Sequence, residues 1–306
     1  MQTYLIMKID SMSNILVTGS HGQLGSEICT IVQNSQKDYI EQKFFFTAKD
    51  TLDIRDKDAI KVFIKEHSID TIINCTAYTS VDSAEDNILM ADAINREAVR
   101  ELAMLSKEYS IKLIHISTDY LFDGNTHRPY SEDMQSNPQG IYSKTKLAGE
   151  QELRQINPPN AIIIRTSWIY SSFGANFVKT MLRLGRDKDE LSVVFDQIGT
   201  PTYARDLAQT ILWIIKNPIK PQDGVAIYHY SNEGVASWYD FAKAIFEFSG
   251  IRCKVNPIET YQYPTPAKRP YYSILNKAKI KKDYNLEIPY WRDSLKECLA
   301  KIEESS

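Results

Sequence analysis

Tyr142 and Lys146 stand four residues apart in the run Tyr142-Ser143-Lys144-Thr145-Lys146. On a helix that spacing puts both on one face. A tyrosine free in water titrates near about 10, and a nearby ammonium favours its phenolate, which brings the phenol toward working pH. Such a phenol can give a proton to a carbonyl oxygen while a hydride arrives at the carbonyl carbon. The spacing alone selects nothing, because Tyr4 with Lys8, Tyr39 with Lys43 and Tyr239 with Lys243 share it. Context separates Tyr142 from these. It follows an apolar run that ends in Ser117-Thr118-Asp119-Tyr120, and strand ends are where an open α/β sheet holds its ligand. Thr118 can bond the same carbonyl oxygen and steady Tyr142. The bland alternative for Tyr142 is a half-buried aromatic at a helix start.

A second constellation lies near the beginning of the chain. The run Asn14-Ile15-Leu16-Val17-Thr18 leads into Gly19-Ser20-His21-Gly22-Gln23-Leu24-Gly25. Gly19 permits a tight turn, Gly22 lets backbone approach a pyrophosphate at the positive end of a helix, and Gly25 lets that helix pack on the strand. A glycine-rich turn with no ligand is the plain alternative. Position right after the first strand favours a dinucleotide site. The next strand runs Phe46-Thr47-Ala48-Lys49, with no acid at Thr47 or Ala48 for the adenosine ribose and a cation at Lys49. That implies tolerance of NADPH, unless Lys49 simply faces solvent. Asp53 suits a contact near the adenine, or else caps the following helix.

These residues need a scaffold. Apolar runs at 14–18, 43–47, 71–75, 112–116 and 161–165 alternate with helical stretches at 23–33, 56–67, 91–109 and 142–157. Continuous apolar strands separated by helices imply a parallel sheet covered on both faces. The fold expected is α/β, a Rossmann-type doubly wound sheet over residues 13–170. Residues 171–306, with short helices at 176–186, 204–216 and 238–248 and proline-rich loops, form mainly a smaller substrate-binding lobe, some of whose segments return to the sheet. Residues 1–12 read as an extension.

The chain has 306 residues, 43% hydrophobic and 25% charged, with a formal net charge of −3. These values suit a globular protein and give no reason to expect nucleic acid as a partner. No run is long enough to cross a bilayer, and Cys29, Cys75, Cys253 and Cys298 match neither a zinc site nor a redox pair. A cytoplasmic enzyme is expected. Asn74-Cys75-Thr76 fits a glycosylation acceptor but sits at the end of an apolar run, which favours a buried strand end. The five histidines, His21, His67, His115, His127 and His229, lack ligand spacing, so no metal site is expected.

Longer stretches carry a resemblance. Gly19 with Gly22-Gln23-Leu24-Gly25 follows the glycine spacing of short-chain dehydrogenases. To this are added Asn74-Cys75-Thr76-Ala77-Tyr78-Thr79-Ser80-Val81-Asp82, Ser117-Thr118-Asp119-Tyr120-Leu121-Phe122-Asp123-Gly124 and Tyr142-Ser143-Lys144-Thr145-Lys146-Leu147-Ala148-Gly149-Glu150. The distal half adds Arg165-Thr166-Ser167-Trp168-Ile169-Tyr170, Asn176-Phe177-Val178, Asp196-Gln197-Ile198-Gly199-Thr200-Pro201-Thr202 and Arg269-Pro270. Over roughly residues 14 to 300 the chain resembles the dTDP-4-dehydrorhamnose reductases, within the extended short-chain dehydrogenase/reductase family.

The resemblance implies hydride transfer from NADPH or NADH to C4 of dTDP-4-dehydro-β-L-rhamnose, giving dTDP-β-L-rhamnose. Tyr142 would be the proton donor, tuned by Thr118 and supported by Lys146, which would also meet the nicotinamide ribose. Gly19, His21, Gly22, Gln23, Leu24, Asp53, Ile54, Thr76, Ala77 and Tyr78 would line the cofactor together with Tyr142 and Lys146. Val81, Thr118, Asp119, Trp168, Asn176 and Arg269 would hold the sugar nucleotide. An indole suits a deoxysugar, and a guanidinium suits a diphosphate. Without the resemblance, Trp168 could equally be core and Arg269 a surface ion pair.

Two departures matter. Thr76 stands where the family often has alanine. Some members form a Mg²⁺-bridged dimer through glutamates. Glu27 matches the first, but Arg205 occupies a position where an acid would be needed, and a cation cannot ligate Mg²⁺. The sequence therefore argues against that bridge and leaves a homodimer open. The remaining alternatives are a related sugar-nucleotide reductase or epimerase with another nucleotide or sugar, and a non-catalytic regulatory subunit of the same fold, against which the intact Thr118, Tyr142 and Lys146 argue.

Overall fold

The computed structural model describes residues 12–218 and 224–304. The expected extension at 1–12 therefore lies outside the described residues except for Met12.

The expected alternation is present. Strand β1 (Ser13–Thr18) leads to α1 (Gln23–Asn34), β2 (Gln42–Thr47), α2 (Lys57–Glu66) and β3 (Thr71–Asn74). After a short helix α3 (Val81–Asp86), α4 (Ile88–Asp92) runs through a π turn (Ala93–Glu97) into α5 (Ala98–Tyr109). The single helix expected over 91–109 is thus interrupted by one widened turn, a form that often marks functional positions. Then come β4 (Lys112–Thr118), α6 (Ile141–Ile156) and β5 (Ile162–Thr166). Asp56 caps α2, its carboxylate accepting the Ala59 N–H at 3.0 Å, so the cap is not Asp53.

The second half is built from smaller pieces. It holds β6 (Ile169–Tyr170), α7 (Phe177–Asp187), β7 (Glu190–Val194), β8 (Ile198–Gly199), β9 (Thr202–Tyr203) and α8 (Ala204–Lys216). There follow β10 (Ala226–His229), β11 (Ala236–Ser237), α9 (Trp238–Ser249), β12 (Lys254–Ile258), α10 (Ala278–Tyr284) and α11 (Trp291–Glu304).

Six strands form one parallel sheet in the order β10-β5-β4-β3-β1-β2. Chain order reverses between β1 and β3, the crevice where such sheets bind ligands. Ile15, Val17, Ile73, Ile114 and Ile164 face a core completed by α1, α8 and α10. Leu16, Ile72, Leu113 and Ile163 point the other way, against α2, α5 and α6. Burial on both faces explains why these strands are continuously apolar. A third core joins α7, α9 and α11 around Phe241, Ile245, Trp291 and Leu295. The strand β10, from beyond residue 170, completes one edge of the six-stranded sheet.

Candidate active site

The carboxyl ends of these strands open into a cleft of about 970 Å³. Its first wall is the glycine turn. Gly19 has φ +70°, and a Cβ there would stand 2.9 Å from Thr76 Oγ1. Gly22 precedes α1 with no side chain to cap it, so the first-turn amides of α1 have no side-chain acceptor. A bare helix N-terminus beside close backbone is an anion cradle. His21, Gln23 and Leu24 line the same wall, with Ala48, Lys49, Asp53, Ile54 and Arg55 beyond them.

The loop after β3 brings Thr76 and Ala77 to the cleft. Asn95, in the π turn, accepts the Tyr78 N–H at 2.9 Å, donates to the Tyr78 carbonyl at 3.1 Å and donates to Thr145 Oγ1 on α6 at 3.2 Å. The widened turn thus ties this loop to the helix that carries Tyr142.

Tyr142, Lys146, Thr118 and Asp119 all line the cleft. The expected relation between the first two is not what the structure shows. Lys146 is buried, and its Nζ donates to the Ile116 carbonyl at 2.7 Å and lies 3.3 Å from His115 Nε2. Burial lowers the Lys146 ammonium to about 8. Tyr142 is pushed up to about 12 by burial, with Thr118 hydrogen-bonding partly offsetting this. In this arrangement burial keeps the Tyr142 proton in place at neutral pH, and Lys146 is turned toward β4. Tyr120 packs edge-on to Tyr142, ring centroids 6.3 Å apart. Asp119 is 2% exposed, and burial raises its carboxyl to about 7 against the opposing pull of the Ser273 and Thr118 hydroxyls.

Beyond Tyr142 the far wall is aromatic. Trp168 stacks on Trp238, ring centroids 3.6 Å apart and planes 11° from parallel. Its backbone is left-handed at φ +45°, unusual for a bulky residue. Gly199 makes room for it, since a Cβ there would stand 2.6 Å from Trp168 Cε2. Asn176 caps α7 through the Lys179 N–H and donates to Gln23 Oε1 at 3.0 Å, joining that helix to the glycine wall.

Sixteen of the eighteen residues expected at the site line the cleft, Val81 among them. Two stand apart from its wall. Tyr78 is held by its backbone to Asn95. Arg269 is engaged by Asp82 through two parallel bonds of 2.6 and 2.7 Å. The Glu27 carboxylate is buried, accepts from Ser171 Oγ at 2.6 Å and lies 3.7 Å from the Arg205 guanidinium. Among the described residues no group of three or more His, Cys, Asp or Glu could hold a metal ion. No helix among them is long and apolar enough to cross a membrane.

Comparison with known proteins settles the family. The model of the RmlD substrate binding domain matches residues 12–304. A dTDP-4-dehydrorhamnose reductase from Aggregatibacter actinomycetemcomitans is 38% identical, over 95% of this chain and all of that one. The spore coat polysaccharide biosynthesis protein SpsK of Bacillus subtilis is also 38% identical, over 94% of this chain and 97% of its own. A dTDP-4-dehydrorhamnose reductase from Bacillus anthracis, solved in complex with NADP, superposes with a TM-score of 0.87 at 36% identity, covering 94% of this chain and 99% of that one. The chain belongs to the dTDP-4-dehydrorhamnose reductase family.

Several residues of the family member's cleft escape a reading by sequence alone. Trp238 and the pair Gly174-Ala175 line it from far along the chain. So does Arg55, whose guanidinium engages Asp53. Ser117 Oγ and Thr166 Oγ1, also at the cleft, are buried without a hydrogen-bond partner among the described residues. Both lie within stretches that carry the family resemblance, and only the fold brings their hydroxyls to the cleft. The bare α1 terminus, the glycine approach and these orphaned hydroxyls together fit an extended, phosphate-bearing dinucleotide.

Proposed function

We propose that this chain reduces the C4 ketone of dTDP-4-dehydro-β-L-rhamnose to dTDP-β-L-rhamnose, using NADPH or NADH. The observation that carries the proposal is the meeting of Thr118 and Tyr142 with the glycine turn in one cleft. The activity of the relatives supports the choice of substrate. Gly19, Gly22, Gln23 and Leu24 would hold the pyrophosphate, with Asp53 and Ile54 toward the adenosine and Thr76 and Ala77 toward the nicotinamide. Bound reduced nicotinamide supplies the hydride to C4. Tyr142, protonated at neutral pH, gives its proton to the carbonyl oxygen, and the Thr118 hydroxyl steadies the phenol that is left charged.

The stacked Trp168 and Trp238 would offer an apolar face to the deoxysugar, with Val81, Asp119 and Asn176 around it. Arg269 would meet the diphosphate by exchanging Asp82 for phosphate oxygens. Lys49 and Arg55 supply positive charge that a ribose 2′-phosphate would use, which favours acceptance of NADPH. We assign cofactor binding mainly to residues 13–170 and substrate binding mainly to 171–306. The Arg205–Glu27 pair argues for any homodimer forming without Mg²⁺. The four free cysteines suit the cytoplasm.

The test is turnover of dTDP-4-dehydrorhamnose with each cofactor, followed at the absorbance of reduced nicotinamide. Oxidation of NADPH or NADH that depends on this substrate is expected. Absence of turnover with either cofactor overturns the substrate assignment, and turnover of another nucleotide's 4-ketosugar in its place redirects it.

A further inference from the structure

Behind Lys146 lies a chain of buried polar groups whose donors and acceptors can be assigned one by one. It begins at the Thr76 backbone N–H, which can only donate and points at Asn74 Oδ1 from 3.1 Å. Thr18 Oγ1 donates to the same oxygen at 2.8 Å. These two bonds fix which end of the Asn74 amide is oxygen. Its Nδ2, which can only donate, therefore faces His115 Nδ1 at 3.1 Å. His115 Nδ1 must be a bare acceptor. A neutral imidazole then carries its hydrogen on Nε2, and Nε2 lies 3.3 Å from Lys146 Nζ.

An imidazolium would place hydrogens on both nitrogens and set Nδ1–H against the Asn74 amide. Complete burial and the neighbouring Lys146 both disfavour that form. The consequence falls on the lysine. An ammonium at Lys146 would turn an N–H toward an N–H, whereas an amine offers its lone pair to His115 and still donates to the Ile116 carbonyl. The titratable groups that act on Lys146 are His115 on β4 and Glu150 on its own helix. Glu150 favours the charged form but is itself bound by Arg165 of β5 at 2.7 Å.

We propose that His115 is a positioning residue that donates its Nε2 hydrogen to the amine form of Lys146, so favouring that form and holding it on β4, turned away from Tyr142. Gain of a proton by Lys146 and release from His115 are then one event. A lysine that charges must turn from the His115 Nε2–H, and it lines the same cleft as Tyr142. The Asn74–His115 pair thereby controls when the ammonium reaches the phenol. The functional consequence rests on the reductase reading above, but the arrangement itself can be tested without substrate or cofactor.

The test is nuclear magnetic resonance on the full cofactor-free chain, labelled with ¹⁵N at histidine and ¹³C at the lysine side chains. The Lys146 signal is assigned by its loss in Lys146→Arg. His115 is expected to show a bare Nδ1 and a protonated Nε2 throughout pH 6 to 9, with Lys146 titrating near 8. In His115→Phe, which removes the donor but keeps a ring, the Lys146 titration moves up by a pH unit or more, a tenfold gain in proton affinity. A protonated Nδ1 with a bare Nε2 overturns the proposal, because the ammonium would then be the donor. An unchanged Lys146 titration in the variant overturns it as well. Should His115→Phe fail to fold, the wild-type tautomer decides alone. Turnover by wild type is a separate measurement, so failure of the substrate assignment leaves this result intact.

Discussion

Asp82 and Arg269, 187 residues apart, are joined by two parallel hydrogen bonds of 2.6 and 2.7 Å. The same carboxylate accepts the Ala267 N–H at 3.1 Å. One side chain on α3 thus fastens the loop that carries Arg269 to that helix. The Arg269 guanidinium holds the Asp82 carboxyl below its usual range.

This clamp is partly exposed, so breaking it costs global stability little, about 1 kcal/mol or less. The local effect is larger. In Asp82→Asn the loop should open more often, and trypsin should cut after the exposed Lys268 roughly fivefold faster, the factor that about 1 kcal/mol represents. Limited proteolysis read by mass spectrometry checks this. An unchanged rate at Lys268 would mean that the loop is ordered by something else.

Tyr142→Phe removes one hydroxyl and leaves the ring. Loss of a positioned proton donor is expected to lower kcat by about 10²- to 10⁴-fold. Cofactor affinity, measured by quenching of protein fluorescence, should stay within about threefold of wild type, a change of under about 0.7 kcal/mol. Near-normal turnover would remove Tyr142 from the role of acid.

Asp119 gives a pH dependence of definite sign. Its carboxyl is raised from 3.8 to about 7 by burial. A group whose folded value is raised adds stability that is complete below the unfolded value and is lost as pH rises through the folded one. Each pH unit crossed between those limits is worth about 1.4 kcal/mol. Asp119→Asn cannot ionise, so its stability relative to wild type should improve between pH 4 and pH 8. Urea unfolding at several pH values reads the difference, and a constant difference contradicts the assignment.

Gly149 on α6 meets the π turn so closely that a Cβ would run into the Asn95 carbonyl oxygen. Gly149→Ala must push α6 from the turn, at about 1–3 kcal/mol. Because Asn95 holds the loop of Thr76 and Ala77, cofactor affinity should fall together with the melting temperature. Loss of stability with unchanged affinity would show that the turn does not position that loop.

The sheet was legible because its strands are buried on both sides, which makes runs such as Thr71-Ile72-Ile73-Asn74 unbroken and easy to bound. The glycine turn and Tyr142 were legible because each fits a local motif. What stayed hidden depends on contacts between distant segments. The strand pairs β6–β9, β8–β11 and β7–β12 include two-residue pieces with no pattern of their own. His115 gave no signal, because one histidine within an apolar strand looks like a core residue. Its meaning comes only from Asn74 and Lys146 on neighbouring elements. Likewise the spacing of Tyr142 and Lys146 placed them on one helix face but could not show that the amine turns toward Ile116. For Arg269 the residue type suggested a diphosphate partner, and only the fold revealed Asp82 in its place.

The return of β10 to the sheet has a practical consequence. Ala226 to His229 cover the outer edge of β5, and α8 and α10 cover the apolar side of β1 and β4. A fragment ended at residue 170 would carry the whole glycine turn and Tyr142, yet β5 would present a row of unpaired amides and carbonyls beside uncovered isoleucines. Such an edge invites pairing with other chains. A fragment ended there is not expected to be a well-behaved protein, and the segment from α8 through α10 is needed for the first hundred and seventy residues to stay monodisperse.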